Sequence, residues 1–301
     1  MEHVKSWADK NPEWRWEVLT ETNELKYVEH QFGPQGLNRP DITDFFRTVN
    51  SRIIKADLLR YMVMYFEGGL YADMDVEALQ PIRNFIPNGF DEGAIDLVIG
   101  IEADEPAFKD HPILGGLSRS FCQWTFMCKP LLPVMMKMVE NAMINVQQIA
   151  KGQGVNVSDV KMDFYQIIAS TGPGLFTDVI MQYMNEGDSQ ESPITWDAFH
   201  QLDEAKLVNR VLVLPVKAFA ASQTHSRSGD THKTPAALVK HHYASTWTGW
   251  HPRYKHPVYG YVEDCLFDEV CVSDWDRKVR KYENNQKTNR VEGRAKESQG
   301  P

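Results

Sequence analysis

Residues 53–76 constrain this chain more than any other stretch. Ile54, Leu58, Tyr61, Met62 and Tyr65 recur at helical spacing, which predicts an amphipathic helix over 53–66. Gly68-Gly69 stops it. Leu70-Tyr71-Ala72-Asp73-Met74-Asp75-Val76 then reads as a short buried strand over 70–76 that meets two carboxylates at its end. A helix feeding directly into such a strand is an α/β unit, and ligands of open α/β sheets gather beyond strand ends.

The rest of the chain fits that class. Strands are predicted over 16–19, after a turn at Asn11-Pro12, and over 97–101, 121–127 and 211–214. A long helix is predicted over 132–150, closed by Lys151-Gly152-Gln153-Gly154. Ser170-Thr171-Gly172-Pro173-Gly174 opens a further helix at Leu175 and lets backbone come close to whatever lies above it. The polar run 222–234 reads as a mobile loop, placed to act as a lid or simply as surface. Residues 284–301 are charged and lack apolar periodicity, so they are expected as an unstructured tail behind a single catalytic domain over 1–283.

Charge narrows the function. The net charge of -9 argues against a general nucleic-acid binder, so an anionic ligand must be held by local positive charge or by a metal. No apolar run is long enough to span a bilayer and no leader follows Met1, so the protein is either cytosolic or has its targeting segment outside this chain. Cys122 with Cys128, and Cys265 with Cys271, are compatible with local disulfides in a secretory lumen and equally with buried thiols. Asn156-Val157-Ser158 is an N-glycosylation sequon.

Asp73 and Asp75 are spaced to address one divalent cation, and hard oxygen ligands suit Mn2+ or Mg2+ better than zinc. Alone, Asp-x-Asp is a weak signal, common on solvated turns. Asp57 and Arg60 strengthen it, because they lie one helical turn apart on the preceding helix and share a face. An arginine there can donate to phosphate or sugar oxygens, and an aspartate can accept from sugar hydroxyls. The bland reading is an ordinary salt bridge.

At this point a family resemblance becomes specific. Lys55-Ala56-Asp57-Leu58-Leu59-Arg60-Tyr61, Tyr65, Gly68-Gly69-Leu70-Tyr71 and Asp73-Met74-Asp75-Val76 resemble the sugar-binding Asp-x-Asp segment of glycosyltransferase family 32. Phe121-Cys122-Gln123-Trp124-Thr125 with Lys129-Pro130, and Thr171-Gly172-Pro173-Gly174, resemble its fungal initiation-type α-1,6-mannosyltransferases. His241-His242-Tyr243 before Trp247 is similar to the family's closing motif, and the likeness runs from about Trp7 to about Trp250.

The resemblance implies a GT-A, Rossmann-like fold with a mixed central sheet flanked by helices, and retaining transfer of mannose from GDP-mannose to a glycan acceptor. It also implies Mn2+ (or Mg2+) as cofactor and a Golgi lumen location, with any membrane attachment through a segment absent from this chain. By the same carry-over Asp75 is the direct metal ligand and Asp73 a ribose or metal-shell contact. Asp57 and Arg60 touch the donor sugar, and Tyr71 lines the pocket. His242 is a metal or diphosphate contact with His241 as its competitor, and Trp247 is an indole donor to the diphosphate, preceded by Thr246 where the family usually has serine. Asp73, Asp75 and Arg60 form the catalytic set.

Met1 falls after the position of the family's opening strand, so the sheet is expected to lack it. With no carboxylate nominated for double displacement, front-face attack is the expected route. Three other readings stand beside this one: an inositol phosphoceramide mannosyltransferase, with a glycolipid acceptor; a haloacid dehalogenase-type phosphohydrolase, whose first aspartate is a nucleophile; and a catalytically silent sugar-binding protein.

Overall fold

The computed structural model describes residues 2–186, 192–244 and 252–297, with side chains as far as residue 288. Its helices are α1 (Glu2–Lys10), α2 (Glu24–Phe32), α3 (Pro40–Thr48), α4 (Arg52–Phe66), α5 (Pro133–Gln153), α6 (Phe164–Ser170), α7 (Pro173–Met184), α8 (Val216–Phe219) and α9 (Glu269–Glu297). Its strands are β1 (Gly69–Ala72), β2 (Val76–Ala78), β3 (Leu97–Asp104), β4 (Arg119–Phe121), β5 (Thr125–Cys128), β6 (Lys206–Val208), β7 (Val211–Leu214) and β8 (Val239–His241).

The main sheet runs β1-β5-β3-β7-β6, with β4 also paired to β3. Only β3 with β7 is parallel, so this is the mixed, helix-flanked sheet expected of a GT-A-like fold. Helices α4 and α7 each pack on α5, and α8 packs on β3. Burial explains the central strands: β7 is buried at every position and β3 at all but one, as near-continuous apolar runs demand. Strands β2 and β8 form a separate antiparallel ribbon.

Gly68 and Gly69 do more than end α4. Both adopt left-handed backbone, and a Cβ at Gly68 would stand 2.5 Å from the Pro130 nitrogen. The chain therefore reverses from helix to strand within two residues, which aims β1 back along the buried face of α4.

Several expectations need correction. The strand over 70–76 ends at Ala72, because a turn closed by Val76 N–H to Asp73 O at 3.0 Å carries the chain out of the main sheet and into β2. The strand over 121–127 is broken at 122–124, its halves pairing with different parts of β3. Residues 16–19 form no strand; they lack a ladder partner and leave Trp16 and Val18 exposed. The run 222–234 has no regular structure but is pinned to the end of β3, where Ser226 donates its N–H to Glu105 Oε1 at 2.6 Å and accepts from the Asp104 N–H at 2.9 Å.

Beyond Asn284, α9 continues to Glu297, so that part of the expected tail is helical; residues 298–301 lie outside the described residues. The segment is rich in Lys, Glu, Arg and Gln, whose helix propensity needs no apolar stripe. Earlier in α9, Val272, Trp275 and Val279 build a small second core with Phe108, Leu114 and Val262.

Cys265 and Cys271 are disulfide-bonded, while Cys122 and Cys128 are buried free thiols. Burial pushes the Cys128 thiol up to about 12, far from reactive thiolate. Among the described residues no helix is long and apolar enough to cross a membrane.

Where β3 begins, Asp96 accepts from Arg210 at 2.8 Å and from Lys129 at 2.9 Å. The Arg210 hydrogen bond leads in lowering its carboxyl to about 2. A depressed folded value stabilises the protein above the ordinary carboxylate range and is lost as pH falls towards about 2. Both cations are half exposed, which screens the pair, so Asp96→Asn is expected to cost only about 1 kcal/mol at pH 7. Urea unfolding should show that difference shrinking below about pH 4.

Candidate active site

The β1–β2 turn, α4 and β8 converge on one cleft of about 1310 Å³. Asp57 and Arg60 face it from α4, both almost wholly buried. Arg60 Nη2 lies 3.4 Å from Asp57 Oδ1 and 3.2 Å from Asp73 Oδ1, so one guanidinium ties the helix to the turn. Its plane also sits over the Tyr71 ring at 5.1 Å, and the Tyr71 hydroxyl donates to Asp73 Oδ1 at 2.5 Å. Both contacts fall on Oδ1, so Asp73 can still present its other oxygen to a cation.

Asp57 is held from behind. Thr171 Oγ1 donates to its Oδ2 at 2.6 Å and Gln123 Nε2 to its Oδ1 at 3.4 Å. Tyr61 donates to the Thr171 carbonyl at 2.8 Å, and Gln123 Nε2 donates to the Tyr61 hydroxyl and, at 2.9 Å, to the same carbonyl. Burial pushes the Asp57 carboxyl up, opposed by Arg60 and Thr171. Burial works against the Arg60 charge too, but Asp73, Tyr71 and Asp57 outweigh it and hold the guanidinium protonated. Arg60 Nε is buried without a protein partner, a donor available to a ligand oxygen.

The second aspartate belongs to a different pair of elements. Asp75 Oδ2 accepts from Ala244 N–H at 2.9 Å and Oδ1 lies 3.3 Å from His241 Nε2. His241 leads in lowering the Asp75 carboxyl to about 2. The His241 ring lies 4.4 Å from that of Trp124, whose Nε1 donates to Glu102 at 2.8 Å. Glu102 thereby fixes Trp124, and Trp124 fixes His241. Burial pushes the Glu102 carboxyl up, which is the cost of anchoring that chain inside the cleft.

His242 stands apart from Asp75. Adjacent strand residues point to opposite faces; on the β2–β8 ribbon Val76 pairs with His241 and both face inward, so His242 projects outward to Glu77 at 2.9 Å. His241 lies beside Asp75 instead. Asp73, Asp75 and His241 each offer a ligand atom within 4.8 Å of the others. Two hard carboxylates with one imidazole suit a divalent transition metal, and the buried, unpartnered Nδ1 of His241 leaves that ring committed to no competing bond on its far side. Thr246 and Trp247 lie outside the described residues. Gln123, Trp124 and Thr171 stand in motifs noted in the sequence and Glu102 in none, and the buried contacts by which they position Asp57 and His241 have no sequence signature.

A phosphohydrolase of the haloacid dehalogenase type fits poorly. Asp73 follows an edge strand paired only antiparallel to β5, not the parallel strand end from which such a nucleophile projects, and its Oδ1 is occupied by Arg60 and Tyr71.

Asp57, Arg60, Asp73, Asp75 and His241 thus share one cleft. Residues 1–91, which carry Asp57, Arg60, Asp73 and Asp75, match the glycosyltransferase sugar-binding region containing DXD motif, and the resemblance to glycosyltransferase family 32 holds. More particularly, the chain is 29% identical over 249 residues to the initiation-specific alpha-1,6-mannosyltransferase of Schizosaccharomyces pombe, covering 82% of this chain and 59% of that protein. It is also 29% identical over 264 residues to the enzyme of the same name from Candida albicans, covering 82% of this chain and 66% of that one. The chain thus spans about three fifths to two thirds of the length of these relatives. Among solved structures, the PaToxG glycosyltransferase aligns with a TM-score of 0.37 and 17% identity, over 60% of this chain and 62% of that one.

Proposed function

We propose that this chain is a retaining mannosyltransferase that uses GDP-mannose and Mn2+ to extend a glycan in the lumen of the secretory pathway, with the Golgi as its compartment. The observation that carries the reading is the joining of Asp57, Arg60, Asp73, Asp75 and His241 in one cleft, across three separate elements. A structural salt bridge needs no such convergence. The relatives' names supply mannose and the α-1,6 linkage. The Cys265–Cys271 disulfide supports an oxidising compartment.

In this scheme Asp73, Asp75 and His241 would hold a divalent cation, which would supply Lewis-acid charge to the departing diphosphate. Asp57, fixed by Thr171 and Gln123, accepts from donor-sugar hydroxyls. Arg60 supplies positive charge beside the scissile bond and a free Nε–H. Glu102 and Trp124 are positioning residues that hold His241. The leaving diphosphate oxygen takes the proton of the incoming hydroxyl, so attack proceeds from the front face and configuration is kept. Trp14 and Trp16, on the cleft wall in place of the expected strand, offer ring faces to the acceptor.

The test is an assay of the purified chain with a panel of sugar nucleotides and Mn2+, offering a mannosylated glycan and inositol phosphoceramide as acceptors. Mannose transfer to the glycan supports the reading. Transfer to the lipid alone moves the acceptor to glycolipid, and donor binding with neither transfer nor hydrolysis makes the protein a silent sugar binder. His241→Ala is expected to weaken Mn2+ binding about tenfold or more, by analogy with the loss of a ligand-shell residue. His242→Ala should leave Mn2+ affinity within about twofold, both read by titration calorimetry with GDP present.

A further inference from the structure

The outward face of the β2–β8 ribbon carries a second convergence that the sugar site does not use. His3 on the first turn of α1, Glu77 on β2 and His242 just past β8 bring one ligand atom each to within 4.8 Å of one another. Glu77 Oε2 is 2.9 Å from His242 Nε2, and the imidazoles of His3 and His242 are stacked with centroids 3.8 Å apart. We propose that His3, Glu77 and His242 form a structural zinc site, separate from the sugar-donor cleft.

The donor chemistry distinguishes the two places. Two imidazoles with one carboxylate are a zinc set, whereas Asp73 and Asp75 add a second hard oxygen that favours manganese. Ligands about 2.0–2.2 Å from a tetrahedral zinc stand about 3.3–3.6 Å apart, so zinc would draw the three atoms together and turn the stacked His3 and His242 rings until both planes contain the ion. Strand alternation keeps the sites apart, because Glu77 and His242 lie on the face opposite Val76 and His241. Lys240 shares the face and repels a cation, but the Glu77 carboxylate opposite it in the ladder offsets that charge.

The location says what the zinc would do. Helix α1 is already tied to β2, where Trp7 Nε1 donates to the Val76 carbonyl and Ser6 Oγ accepts from the Ala78 N–H, each at 2.8 Å. Zinc would add a third fastening at the first turn of α1, pinning it to the ribbon that carries Asp75 at one end and His241 on its inner face. A ligand bound only by the folded state raises the melting temperature.

The experiment uses tag-free protein carrying Asp75→Ala, which disables the other site, titrated with Zn2+ alone and followed by calorimetry and thermal unfolding. One equivalent of zinc should bind and raise the melting temperature. Adding His3→Ala, on a half-buried first turn, should weaken that binding more than about 100-fold while the circular dichroism spectrum stays unchanged. Should Asp75→Ala not fold, the same His3→Ala change in the natural chain should lower zinc stoichiometry by one equivalent and leave Mn2+ binding in place. Failure of zinc to bind the Asp75→Ala protein, or undiminished stoichiometry after His3→Ala, overturns the proposal.

Discussion

Replacing Asp75 by Asn is expected to lower mannose transfer by about 100-fold or more, since on the proposed reading it removes the cation ligand nearest the departing charge, and groups that stabilise such charge are each worth about two to three orders of magnitude. The same change should abolish the stimulation of the native chain by added Mn2+, so initial rates with and without the metal separate a lost ligand from a damaged fold. Because the neighbouring His241 and the Ala244 N–H hold the Asp75 carboxyl at about 2, it stays ionised throughout the range where enzymes are assayed. No acid limb between about pH 5 and 8 should therefore be traceable to Asp75.

Replacing Arg60 by Met has the largest expected effect on stability. Asp57 and Asp73 are both tied to this one guanidinium, and Asp57 is almost wholly buried. Removing the cation leaves a buried carboxylate uncompensated, a change that costs about 3–5 kcal/mol. Equilibrium urea unfolding should register it as a fall in midpoint with little change in slope. Combining Arg60→Met with Asp57→Leu should recover part of that stability, because the unpaired charge is gone, while transfer stays lost. If Arg60→Met keeps both its midpoint and its activity, Arg60 is neither a structural tie nor a donor contact.

How much of this site the sequence discloses depends on the range of the interactions. Asp57 and Arg60 share a helix face and Asp73 follows a strand within a few residues, so local periodicity brings them together without knowledge of the fold. The helix-to-strand reversal is legible for the same reason, since Gly68 and Gly69 take left-handed backbone next to Pro130. The choice between His241 and His242 is different. It turns on the register of β8 against β2, strands about 160 residues apart, and a three-residue strand gives too short an alternation to show its inward face. Even so, the buried Val239 two residues before His241 carries the hint once the strand is known.

The elements missed altogether are short or atypical. Helices α1, α2 and α3 have nine residues each, little more than two turns, so a window long enough to establish periodicity overruns their ends. Strands β6 and β8 have three residues and derive their identity from partners, not from propensity. The strand expected over 16–19 errs in the opposite direction: its aromatic and β-branched residues favour a pleated surface, but among the described residues no neighbouring strand offers one, and they line the cleft instead. Helix α9 runs on into the expected tail because polar residues of high helix propensity sustain it without an apolar stripe.

The central claim concerns where a metal sits, and anomalous diffraction locates it most directly. Crystals of the chain soaked with Mn2+ and GDP should show a manganese peak within about 2.0–2.4 Å of Asp75 and His241, with Asp73 in the same coordination sphere and the diphosphate on the far side of the ion. A diphosphate bound in the cleft with the manganese elsewhere, or with none within reach of Asp75, would contradict the account.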